Sequence, residues 1–165
     1  MLVMEITRIE AAHLAGLVSQ FVELLEESDG TAAPEGDPAI ARLVPDAYAD
    51  DAAAAREFRD LTQSDLLARR DADAREVLAS LGSDEELSEV TDLDDPRFTE
   101  VFTISLTPET VRAWLRTLNA LRLVLATRLG IDGEDDHESD EPRFAIYDWL
   151  GFRLDGLVRA VSGEE

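Results

Sequence analysis

Apolar residues follow two rhythms along this chain. At its start Leu2, Met4 and Ile6 alternate with other residues, which predicts a short strand. Thr7-Arg8-Ile9-Glu10 then has the spacing of a capping box, in which a hydroxyl and a carboxylate satisfy two orphan amides at a helix start. Leu14, Leu17, Val18, Phe21, Leu24 and Leu25 follow at helical spacing and predict a helix to about Glu27. The alternating rhythm returns in "TEVFTISL", where Phe102, Ile104 and Leu106 share one side. Thr107-Pro108 then opens a long helix containing "LNALRLVLATRLG", residues 118–130, which Gly130 closes.

Between these two strand–helix units the pattern is more broken. Residues 28–37, "SDGTAAPEGD", read as a loop, and Asp37-Pro38 starts a short helix that ends before Pro45. Asp51 can cap an alanine-rich segment leading to Phe58 and Leu61. A break near residues 62–64 then precedes a further helix through Leu81, stopped by Gly82. Residues 83–97 form an acidic loop with a helical turn or two, and residues 132–141, "DGEDDHESDE", a charged linker. A last helix covers about Pro142 to Val161. The whole predicts a mainly α protein, a single domain over residues 1–165. It is a helical bundle of five to six helices with a small two-stranded β element. The strands should pair with each other, within one chain or across a dimer, because exposed apolar edges invite aggregation. Ile6-Thr7 and Leu106-Thr107 each end a strand and cap a helix. Shared design rules account for that echo more simply than duplication does.

The most apolar helix carries two charges, Arg122 and Arg128, in a chain whose net charge is −22. With Leu118 at zero and about 100° per residue, Arg122 falls at about 40°, inside the stripe that includes Val111, Leu115 and Leu125. Arg128 falls at about −80°, on the edge of that stripe, while Arg112 and Arg116 point away. A guanidinium keeps its proton, so a buried one needs carboxylate or carbonyl partners. Asp148, in "YDWLG", is the first candidate partner, with Glu10, Asp46 and Asp71 as alternatives. Arg122, Asp148 and Arg128 are therefore expected to form a helix-orienting ion pair or an interface with another chain. Ligand binding by Arg122 is the third option.

Composition narrows the function classes. A hydrophobic fraction of 45% and a charged fraction of 32% describe a folded globular chain. There are 37 acidic residues against 15 basic ones, and every basic residue is arginine. Such a surface repels phosphate backbones and anionic lipids, so neither direct nucleic-acid binding nor membrane binding is expected. The expected partner is a protein with a basic patch, and a homodimer remains open. No apolar run approaches the roughly 20 residues of a bilayer span. "MLVMEITRIE" lacks a basic region and a cleavage site, which predicts a cytoplasmic protein. The absence of cysteine removes disulfides, thiolate metal sites and cysteine nucleophiles together.

No catalytic motif stands out. There is no G-x-S-x-G, phosphate-binding glycine loop or H-E-x-x-H. His13 flanks the apolar face of the first helix, and His137 lies in the acidic linker. That linker concentrates carboxylates, but without the glycine and terminal glutamate register of a calcium loop. Tyr147, Trp149 and Phe152 could form a stacking platform, yet their apolar neighbours read better as helix packing. No cofactor, metal site or catalytic residue is expected.

Three blocks carry a family resemblance: "RLVPDAYADDAAAAREFRDLT", "AWLRTLNALRLVLATRLGI" and "YDWLGFRLDGLV". They resemble the recurring blocks of a small actinobacterial family catalogued as a domain of unknown function, which includes the AosR-type oxidative-stress regulators. The likeness covers nearly the whole chain. It implies an intracellular protein not known as an enzyme. AosR-type members are described as transcriptional regulators that act with an alternative sigma factor and sense oxidation through a thiol pair. Without cysteine, this chain cannot carry that sensing chemistry over. Met1 and Met4 are oxidisable, but read as strand residues. The expected function is a non-enzymatic regulatory or adaptor module acting through protein contacts, with a partner in the transcription machinery such as a sigma factor. The rival classes are a carboxylate-based hydrolytic or metal-dependent enzyme and a structural homo-oligomer.

Overall fold

A computed structural model describes residues 1–28, 52–82, 96–130 and 144–163. In chain order these form β1 (Leu2–Thr7), α1 (Arg8–Ser28), α2 (Ala52–Leu81), a 3-10 turn (Pro96–Thr99), β2 (Val101–Leu106), α3 (Pro108–Leu129) and α4 (Ala145–Ser162). The two strand–helix junctions form as their sequences dictate. Glu10 N donates to Thr7 Oγ1 at 3.2 Å, and Thr7 N donates to Glu10 Oε2 at 3.0 Å, closing the capping box of α1. At the second junction Thr110 N donates to Thr107 Oγ1 at 3.2 Å, and Pro108 occupies the first turn of α3. Gly130 ends α3 with φ 76°, a left-handed conformation that suits a residue without Cβ.

β1 and β2 pair antiparallel within the chain, from Leu2 opposite Leu106 to Thr7 opposite Val101. This register turns Met4, Ile6, Ile104 and Leu106 inward and leaves Val3 and Val101 outside. The helix count needs correcting. Among the described residues there are four α-helices rather than five to six. The break expected near residues 62–64 does not occur, and those residues lie inside the single 30-residue α2. Thr62, Gln63 and Ser64 each cost under about 0.7 kcal/mol in a helix, and α2 contains neither proline nor glycine to interrupt its ladder. The short helix expected after Asp37-Pro38 lies outside the described residues, as do the acidic segments 83–95 and 132–141.

α3 is the central helix. It packs against α2 on one side and α4 on the other, while α1 packs against α2 and the sheet. Trp114, Leu118 and Leu121 of α3 join Ile6, Leu14, Val18 and Leu150 in one core. Polar side chains fix the α2–α3 register. Trp114 Nε1 donates to Ser80 Oγ at 2.8 Å, and Thr110 Oγ1 donates to Glu76 Oε1 at 2.9 Å. Ser80 Oγ in turn donates to the Val77 carbonyl at 2.7 Å, so the buried indole N–H joins a satisfied chain of bonds. α4 reaches α1 through side chains, and that geometry creates the groove described next.

The burial pattern sets an expected stability contrast. Leu118 is fully enclosed, so Leu118→Ala should lose about 2–5 kcal/mol in urea denaturation. Val3→Thr, on the outward sheet face, should stay within about 0.5 kcal/mol of the parent.

Candidate functional site

The site begins at Glu10. Its place in the capping box fixes the carboxylate at the top of α1, facing α4. From α4, Arg153 Nη2 donates to Glu10 Oε2 at 2.6 Å and Trp149 Nε1 donates to Glu10 Oε1 at 3.2 Å. Trp149 and Arg153 stand four residues apart, so one face of α4 presents both donors. Arg153 Nη1 also donates to the Glu5 carbonyl of β1 at 3.1 Å. Burial by itself would push the Glu10 carboxyl up. The Arg153, Thr7 and Trp149 hydrogen bonds, with the Arg153 charge, overcome this and bring its pKa down from 4.5 to about 2.

Beyond this bridge α1 and α4 diverge around an open groove of about 580 Å³. Ala12, Gly16, Leu17 and Gln20 line it from α1, and Ala145, Ile146 and Trp149 from α4, with Glu10 and His13 completing the wall. The lining is mostly apolar, and Ile146 is 49% exposed within it. The groove's carboxylate has its lone pairs occupied, and at a pKa of about 2 it is a weak base at neutral pH. His13 is exposed on the rim. Among the described residues no group of three His, Cys, Asp or Glu could hold a metal ion. Nor is any helix among them long and apolar enough to cross a membrane.

Of the residues singled out in the sequence, Glu10, His13 and Trp149 line this groove, while Arg122, Asp148 and Arg128 sit elsewhere. Arg122 is half-buried, and its guanidinium lies over the Tyr147 ring with Cζ 4.4 Å from the centroid. Its Nε is shielded from solvent without a hydrogen-bond partner. Gly151 makes room for it, since a Cβ there would come within 3.1 Å of Arg122 Cζ. Asp148, the expected partner of Arg122, is half-buried on α4. Arg128 is exposed in the last turn of α3, beside a cleft shared with Leu17, Leu24 and Leu125. Of the three aromatic residues of α4, Tyr147 is buried, Trp149 half-buried, and Phe152 71% exposed. His137 lies outside the described residues.

Fold and groove together define a small, mainly helical module with a two-stranded sheet and an open apolar channel beside a locked ion pair. A family description, domain of unknown function (DUF2017), matches residues 1–161, and the chain belongs to that family. No curated protein and no solved structure matches it.

Two predictions come from these contacts. The Glu10 pKa is depressed on folding, so its contribution to stability is full above about 4.5 and is lost as the pH falls toward about 2. Glu10→Gln should therefore be less stable than the parent at neutral pH, with the gap closing on acidification below about 4.5. Urea midpoints across pH measure this. The second concerns Gly151. Alanine there gains about 1 kcal/mol of helix propensity, but its Cβ crowds the Arg122 guanidinium and weakens a ring contact of about 0.5–2 kcal/mol. Gly151→Ala should be nearly neutral alone and stabilising by about 1 kcal/mol in an Arg122→Ala background. Equal effects in both backgrounds, by thermal denaturation, would count against this contact.

Proposed function

We propose that this protein is a non-enzymatic cytoplasmic regulatory or adaptor module that docks a partner protein in the α1–α4 groove. The observation that carries this reading is the groove itself: an apolar channel at the surface whose charged group is already satisfied. Ile146 and Trp149 offer the kind of aliphatic and aromatic wall on which a partner's apolar side chains gain most. A carboxylate held by an arginine, an indole and a backbone amide is suited to fixing helices rather than to moving protons.

The likeness of "LNALRLVLATRLG" and its companion blocks to AosR-type regulators suggests which partner to try first. It is a transcription complex containing an alternative sigma factor, approached by protein contact. The net charge of −22 favours a protein partner over DNA, which the chain would repel. With no cysteine in the chain, the signal it conveys is not oxidation of its own thiols.

The test is gel filtration of the purified chain with the host RNA polymerase carrying the alternative sigma factor. Co-elution is expected for the parent and its loss for Ile146→Asp, with the variant's helicity and melting temperature unchanged. Failure of the parent to co-elute, or co-elution indifferent to Ile146→Asp, would refute the reading.

A further inference from the structure

The opposite flank of α4 carries a second groove of different character, also about 580 Å³. Leu66, Arg69, Arg70 and Asp73 repeat at i, i+3, i+4 and i+7, so one face of α2 forms one wall. Leu115 and Arg116 of α3 and Leu154 and Val158 of α4 form the rest of its core. Three of the chain's 15 basic residues converge here, while among the described residues only one acidic side chain lines the groove. That one, Asp73, is engaged with Arg116 at 3.4 Å. Arg70 makes a single long bond to the Arg116 carbonyl at 3.5 Å, and Arg69 makes no hydrogen bond or ion pair among the described residues. Two guanidinium groups thus retain nearly all their donors beside an apolar floor on which Val158 is 47% exposed.

We infer that this groove binds an acidic amphipathic segment of a partner protein, with its carboxylates on Arg69 and Arg70 and its apolar side chains on Leu66, Leu115, Leu154 and Val158. This goes beyond the α1–α4 reading, because the two grooves lie on different flanks of α4 and call for partners of different charge. Charge complementarity selects the occupant. Arg69 and Arg70 match carboxylates, and the aliphatic floor rewards side chains that inorganic phosphate lacks. A nucleic acid strand would extend past the groove onto a surface dominated by carboxylates. A short segment need not, because at physiological ionic strength charges beyond a Debye length of about 8 Å are largely screened. A second copy of this chain would bring the same net charge of −22 into contact with itself.

Fluorescence anisotropy with the full chain tests this. The probe is a dye-labelled synthetic peptide carrying leucine and glutamate on one helical face, and a second peptide replaces each leucine with serine. Because the rest of the surface repels an acidic peptide, binding reports on this groove. The leucine–glutamate peptide should bind saturably, more weakly at high salt. Arg69→Glu/Arg70→Glu should weaken it by about tenfold or more, and Val158→Asp should also weaken it. These positions are exposed or half-buried, so circular dichroism should show an unchanged fold; if the double reversal unfolds, Arg69→Gln takes its place. Ile146→Asp should leave this binding intact, which separates the result from the fate of the α1–α4 groove. No saturable binding, equal binding of the serine peptide, or displacement by millimolar inorganic phosphate would each overturn the proposal. So would a dimer in light scattering that the double reversal abolishes, since the occupant would then be a second copy.

Discussion

One carboxylate holds three parts of this molecule together. Glu10 closes the cap of α1, accepts the indole N–H of Trp149 and pairs with Arg153, whose other nitrogen bonds the β1 carbonyl at Glu5. The first strand, the first helix and the last helix therefore meet at one point. Both partners of the ion pair are mostly enclosed, with side-chain exposures of 20% for Arg153 and 28% for Glu10. Removing one partner of a buried pair leaves an uncompensated charge, and costs more than the pair itself contributes. The position of α4, and with it the width of both grooves, depends on this joint.

α4 in turn acts as a divider. Its buried stripe, with Leu150 and Leu157 at its centre, packs onto α3. Ile146 and Trp149 wall an apolar channel on one flank, and Leu154 and Val158 floor an arginine-rimmed channel on the other. A helix that walls two grooves exposes apolar side chains there, Ile146 on one flank and Val158 on the other. Gly151 is the point where the Arg122 guanidinium passes between α3 and α4 to reach Tyr147.

What was legible in the sequence was local. Both capping motifs, both strands and the ends of α3 are encoded within a few residues of where they act, and all formed as their sequences imply. The placement of Arg122 inside the α3 stripe shows where periodicity stops informing. Leucine spacing centres the stripe on Leu118, but Ala113 and Ala120 are also buried, at 3% and 0% exposed. Alanine adds little to a hydrophobic pattern, yet its size lets helices approach closely. The buried arc therefore extends toward Trp114 and Leu121, and Arg122 lies half-buried beside it, over Tyr147. The Glu10–Arg153 joint spans 143 residues of sequence, and no local rhythm links its ends. A signal was present only in halves: a capping glutamate, and a tryptophan and an arginine four residues apart on the last helix. The grooves had still less, since Ala12 and Gly16 mark the absence of side chains rather than their chemistry.

The antiparallel sheet also fixes an order of assembly during synthesis. β1 is made before β2, so Leu2 finds its partner only when Leu106 has been added. At about 5–20 residues per second, the nascent strand waits on the order of 5–20 s with Met4 and Ile6 uncovered. Arg153 arrives later still, so the joint at Glu10 cannot close until α4 has been made. In the meantime the capping box can start α1 on its own, because Thr7 and Glu10 need only each other. The first helix can thus start early, while the strand before it waits for β2 and then for Arg153.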